Sequence, residues 1–151
     1  MEKNAMSNIK HLDLSALEKA IVCLRDSLAY SESDLARNDA KLALHLKAGS
    51  IQAFEFTYEL CVKFMRRYLM LSEPSADVIA EMSFPTLIRT GNEKGLLKRD
   101  WPTWKNYRDK RNITSHTYSQ KKAGEVYSVL PTFLEDASFL LQQLEQRNRS
   151  L

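Results

Sequence analysis

An all-α, up-and-down helical bundle is the fold this sequence predicts. Apolar residues recur at steps of three and four over long stretches, and no segment sustains the period-two alternation of a strand. Glycine and proline are scarce, four of each in 151 residues, too few for a turn-rich β fold. The length suits one domain with a real core and is short for two.

The elements follow in order. Residues 1–12 are polar and unpatterned, so a flexible N-terminus is expected there, ahead of a single domain over residues 13–148. Leu14, Leu17, Ile21, Leu24 and Leu28 make one apolar stripe, with Asp13 as N-cap, and this helix ends between Tyr30 and Ser33. A second, longer helix starts between Asp34 and Asp39, with Ile51, Phe54, Tyr58, Cys61, Met65 and Tyr68 as its stripe. Gly49 inside it costs about 1 kcal/mol relative to Ala and offers a point of close backbone approach. Glu73-Pro74 ends the helix, because the residue before proline avoids the α region. Ser75 caps a short helix through Met82, and Pro85 opens another that ends near Gly91 or Gly95. Asp100 as N-cap, with Pro102 in the first turn, starts a helix through Trp104, Tyr107 and Arg111. The last helix begins near Ser119 and carries the stripe Val126, Leu130, Phe133, Ala137, Leu140, Leu144. Pro131 lies inside it and predicts a kink with one missing backbone bond.

Composition excludes several function classes. No apolar run approaches the ~18 residues of a membrane span. The start, Met1-Glu2-Lys3-Asn4-Ala5, has no signal-peptide core, so a cytoplasmic location is expected. Cys23 and Cys61 stand alone on separate helices and read as buried thiols on apolar stripes. No Cys/His spacing suits zinc and no Gly-rich phosphate loop is present, so neither metal nor cofactor is expected.

Charge is distributed unevenly. The net charge is +3, yet Lys94 to Lys122 holds nine Lys or Arg against two Asp, leaving the rest of the chain acidic. A basic segment of this kind reads as a footprint for phosphate backbones. At its centre lies Arg111-Asn112-x3-His116-x-Tyr118. Histidine exchanges a proton near neutral pH, and arginine offers a permanent planar charge to phosphate oxygens. Together they point to acid–base chemistry on a phosphodiester. On one continuous helix, Arg111 and His116 would stand about 140° apart. Two arrangements resolve this: the helix ends between them, since Thr114, Ser115 and Thr117 compete for backbone bonds, or a two-fold dimer brings two copies to one cleft.

The extended motif resembles the HEPN superfamily. A second stretch, Gly49-Ser50-Ile51-Gln52-Ala53-Phe54-Glu55-Phe56-Thr57-Tyr58-Glu59-Leu60, is similar to the signature of small HEPN proteins that accompany a minimal nucleotidyltransferase. The resemblance spans roughly Leu14 to Leu144, with one departure: a valine, Val62, stands near where an aromatic is usual. It implies a homodimeric bundle of four to five helices and a motif that straddles a helix end at the dimer cleft. It also implies a metal-independent endoribonuclease toxin silenced by a nucleotidyltransferase antitoxin. His116 would then act as acid or base, Arg111 would stabilise phosphate charge, and Asn112 would orient one of them. Tyr118 would be the residue adenylylated by the partner. Arg108, Lys110, Lys121 and Lys122 would hold the RNA backbone. The alternative is a non-catalytic subunit presenting a nucleotide or other substrate to the nucleotidyltransferase.

Other residues read more plainly. His11 and His45 are structural or solvated. Trp101 and Trp104, three apart, suit core or dimer packing, with base stacking as the second reading. Glu55 and Glu59, four apart, read as solvated or as partner contacts.

Overall fold

The computed structural model describes residues 11–151, and the structured elements in it are all helical. The expected flexible start therefore falls mostly outside the described residues. At its end, Leu12 is tied down: its N–H donates to Asn148 Oδ1 (2.8 Å) and its carbonyl accepts from Asn148 Nδ2 (2.9 Å). His11 Nδ1 lies 2.7 Å from the Asn148 carbonyl.

The N-cap of helix α1 (Ser15–Ser31) is Leu14 and not the expected Asp13, which stands one residue earlier and accepts the Ser15 N–H and hydroxyl, bonds that hold its carboxyl below the ordinary range. Two caps then compete over a short stretch. Ser33 caps a single turn, α2 (Asp34–Arg37), and Asp39 accepts from Lys41 and Leu42 N–H to start the 33-residue α3 (Ala40–Ser72). Glu73, with ψ 152°, ends α3 ahead of Pro74, as the sequence predicts. Two short helices follow, α4 (Ala76–Glu81) and α5 (Phe84–Glu93). Gly95, at φ 78°, lets Leu96 N–H reach back to the Gly91 carbonyl (2.8 Å), closing α5 in a Schellman turn. Then come α6 (Trp101–Asn112), a 3-10 turn (Thr114–His116), α7 (Gln120–Tyr127) and α8 (Leu130–Asn148).

Helices α1, α3 and α8 pack against one another as the bundle, and the motif-bearing segment lies against α3 and the short helix α7, with the Tyr107 side chain reaching Asp136 of α8. The predicted stripes form the core: Leu17, Ile21 and Leu24 from α1, Phe54, Cys61 and Met65 from α3, and Phe133, Leu140 and Leu144 from α8. Phe133 is its aromatic centre, edge-on to Phe54 at 4.9 Å and to Tyr107 at 5.1 Å.

Three further expectations are corrected. Pro131 does not kink one long helix. The chain breaks at Ser128 and Val129, and Pro131 sits in the first turn of a new helix, where its missing N–H costs nothing. Cys23 is exposed; it lies about 100° round α1 from Leu24, off the stripe, whereas Cys61 is buried and its thiol is pushed up by burial. Gly49 meets no neighbour, so no close approach is made there, while at Gly91 an added Cβ would lie 2.7 Å from the Met65 Sδ that packs over it.

Candidate functional site

Helix α6 carries the site, and its two ends are held by similar groups. Asp100 starts it, accepting the Trp101 N–H at 2.7 Å. Just before it, Arg99 donates to Asp136 (2.7 Å) and to Glu135 (3.0 Å), both on α8. Asp136 is 1% exposed and also accepts the Tyr107 hydroxyl. Burial pushes its carboxyl up, against the pull of Tyr107 and Arg99. Burial also raises the Tyr107 phenol, reinforced by the bond to Asp136. Trp104, fully buried, completes this anchor with an edge contact to Tyr107 at 5.2 Å.

At the other end stands Arg111. Its Nη2 meets Glu59 Oε1 at 2.5 Å and Glu55 Oε1 at 3.3 Å, both from α3. Nη1 reaches Thr114 Oγ1 at 3.4 Å, and Nε is buried without a hydrogen-bond partner. The bond to Glu59 raises the guanidinium pKa further. One cation thus faces two carboxylates, so this cluster is net negative before any ligand arrives. The two stretches singled out in the sequence, one around Phe54 and one around Arg111, therefore touch. Tyr58, between them, is pushed up to about 12 by burial, opposed by Arg108 and Arg111.

Helix α6 ends between Arg111 and His116, the first of the two expected arrangements. The Thr114 hydroxyl donates to the Arg111 carbonyl (2.8 Å), and the Thr117 hydroxyl donates to the Thr114 carbonyl (2.9 Å). These hydroxyls take carbonyls that a continuing helix would use. The turn leaves His116 exposed, with its ring 6.4 Å from that of Tyr118, which is 86% exposed. Among the described residues no side-chain hydrogen bond joins His116 to Arg111, and none is made by the exposed Asn112 amide. Beside Tyr118 opens a cleft of about 320 Å³, lined by Leu44, Lys47, Ile51, Thr117 and Gln120 among others.

The basic segment is partly neutralised. Lys94 pairs with Glu73 (3.1 Å) and Lys105 with Asp109 (3.8 Å), besides Arg99 and Arg111. Lys98, Arg108, Lys110, Lys121 and Lys122 form no ion pair among the described residues. Lys110 donates to Asn106 (3.1 Å), Lys121 and Lys122 are exposed on α7, and Arg108 lies over the Trp101 ring at 5.1 Å. His45 is exposed. The sequence reading missed the role of Glu55 and Glu59; their place in the same signature as Tyr58 was the only hint.

Residues 12–146 match the family described as "Nucleotidyltransferase substrate binding protein like". The chain belongs to this family. It is 40% identical over 144 residues to a Haemophilus influenzae protein named probable ribonuclease HepT, covering 94% of each chain. It is also similar to the solved structure of Haemophilus influenzae HI0074, described as revealing the fold of a substrate binding domain of a nucleotidyltransferase. The TM-score is 0.83 at 38% identity, over 88% of this chain and 99% of that one. No helix among the described residues is long and apolar enough to cross a membrane.

Proposed function

We propose that this protein is a metal-independent endoribonuclease whose site is built from Arg111, Asn112 and His116. The observation that carries this reading is the helix end after Asn112, which presents an exposed imidazole one short turn from a guanidinium. A base removes the proton of a ribose 2′-hydroxyl, and that oxygen bonds to phosphorus. The bond to the 5′ oxygen breaks, and an acid protonates the leaving oxygen. The products are a 2′,3′-cyclic phosphate and a free 5′-hydroxyl. His116 serves one proton transfer, and in a homodimer the second His116 serves the other. Arg111 stabilises the charge that grows on the phosphate oxygens, and to do so it exchanges Glu59 and Glu55 for the phosphate. Asn112 orients the histidine or the phosphate. Arg108, Lys110, Lys121 and Lys122 hold the RNA backbone.

The partner in this reading is a minimal nucleotidyltransferase that silences the enzyme by adenylylating Tyr118. The exposure of Tyr118 and its closeness to His116 support that role, since an added nucleotide brings bulk and negative charge beside the site. One observation favours a second reading, a non-catalytic subunit that presents substrate to the nucleotidyltransferase: Arg111 is already matched by two carboxylates.

The deciding experiment follows RNA integrity in the presence of chelator, with wild type and His116→Ala purified without the partner. Wild type is expected to cleave, and His116→Ala to lose about 10²–10⁴-fold while keeping its helical spectrum and oligomer mass. Cleavage that survives in folded His116→Ala, or wild type that never cleaves, leaves the substrate-presenting subunit as the better account.

A further inference from the structure

Aromatic faces hold the cations along α6 differently from Arg111. The Arg108 guanidinium lies 5.1 Å from the centroid of Trp101 and 5.7 Å from that of Phe84. Arg89, on α5, lies 6.0 Å from the same Trp101 centroid. Phe84 and Trp101 meet each other edge-on at 5.7 Å. Neither Arg89 nor Arg108 forms an ion pair or a side-chain hydrogen bond among the described residues. A guanidinium stacked on a ring leaves its charge unmatched and its N–H edge open to an outside acceptor, whereas carboxylates match both.

We propose that Arg89, Trp101 and Arg108 form a track that binds the phosphate backbone of single-stranded RNA beside the Arg111–His116 site. This rests on the RNA-cleaving reading above, which already gives Arg108 to the RNA backbone, and extends it to Arg89 and Trp101. Arg108 precedes Arg111 by three residues, about 4.5 Å along the helix axis, and Trp101 precedes Arg111 by about 15 Å. A strand whose phosphate replaces the carboxylates at Arg111 and which runs back along α6 meets Arg108 first and Arg89 next. The arrangement explains how a site whose central arginine is over-neutralised can still attract a polyanion: the attraction comes from the unneutralised pair next to it. Two arginines interleaved with an aromatic face suit a flexible strand of phosphates and bases better than a folded acidic surface.

The test uses the full chain in a His116→Ala background, so that the probe stays intact. A fluorescent single-stranded RNA is titrated at several salt concentrations against this background, against added Arg89→Gln or Arg108→Gln, and against both together. Each glutamine is expected to weaken binding about tenfold and to make the plot of log K against log salt shallower by about 0.7. Arg89→Lys, which keeps the charge, is expected to retain the salt slope. Arg89 is exposed on the surface of α5, so its variants keep the fold, and a matching thermal midpoint checks this. Unchanged affinity and slope in the double variant overturn the track. So does a pattern in which RNA binding is unchanged but binding to the nucleotidyltransferase is lost, which makes this a protein-docking face. If instead wild type never cleaves RNA while the glutamine variants lose affinity and slope as expected, the track stands and the ribonuclease reading falls.

Discussion

Helix α6 is bracketed by two clusters of the same composition, each one arginine and two carboxylates, and they are built for opposite ends. At the start, Arg99 meets Glu135 and an Asp136 that is 1% exposed, and the Tyr107 hydroxyl fills the remaining demand of the buried carboxylate. At the finish, Arg111 meets Glu55 and Glu59, whose side chains are 40% and 57% exposed, and its own Nε is left buried without a partner. The arginines are about equally exposed and Glu135 is exposed too, so the difference lies in Asp136: a buried carboxylate with its partners in place fixes geometry and is costly to strip of them. A half-solvated pair contributes little and exchanges readily. The first cluster therefore reads as the clamp that positions the helix, and the second as the place where an anion from outside can trade with a carboxylate.

The comparison breaks most easily at Asp136. Asp136→Ala is expected to cost about 3 kcal/mol, because it strands Arg99 and the buried Tyr107 hydroxyl. Urea unfolding measures this; a cost under 1 kcal/mol would mean the buried cluster is no clamp.

Alkaline pH sharpens the contrast next, since a raised tyrosine belongs to each region: Tyr107 to the first cluster, and Tyr58 of α3 near Arg111. Tyr58 titrates at about 12 in the folded chain, and Tyr107 is also raised by burial. An unfolded tyrosine titrates near 10. Each neutral phenol thus contributes stability that is fully present below about pH 10 and is lost as pH climbs through the folded value. Stability is expected to be level from pH 7 to 9 and to fall above 10, less steeply in Tyr58→Phe. A flat profile to pH 12 in both proteins would contradict the burial argument.

A smaller effect is expected at Glu59. Glu59→Gln should change stability by less than about 1 kcal/mol, yet bind single-stranded RNA several-fold more tightly, because Arg111 is partly released. A large stability loss with no gain in affinity would place both clusters in the same structural role. Smallest of all is Tyr118→Phe. With 86% of its surface exposed, this side chain is expected to change stability by no more than about 0.5 kcal/mol, and cleavage is expected to persist while silencing by the partner fails.

Much of the fold was legible because helix periodicity and capping are local. The stripes of α1, α3 and α8 lie in the core as the spacing implies, and Asp39, Asp100 and Ser119 cap helices through their own side chains. The errors came where two local signals met. Ser33 and Asp39 each cap a helix, so the expected long helix has a separate turn before it, and Pro131 marks a helix start because Ser128 and Val129 had already broken the chain. The helix end between Arg111 and His116 was also readable, since three hydroxyl residues in four positions compete with the ladder.

The chain order settled which side chains exist near the motif, where its helix stops, and how much charge the segment carries. Which charges meet was decided only when the helices packed. Glu59 and Arg111 are 52 residues apart, and a glutamate on a helix surface reads the same whether it faces water or a guanidinium. The same holds for Arg89 and Arg108, which share one indole across two helices. Periodicity and capping act over a few residues along the chain, whereas Coulomb and cation–π energies depend on distance through space.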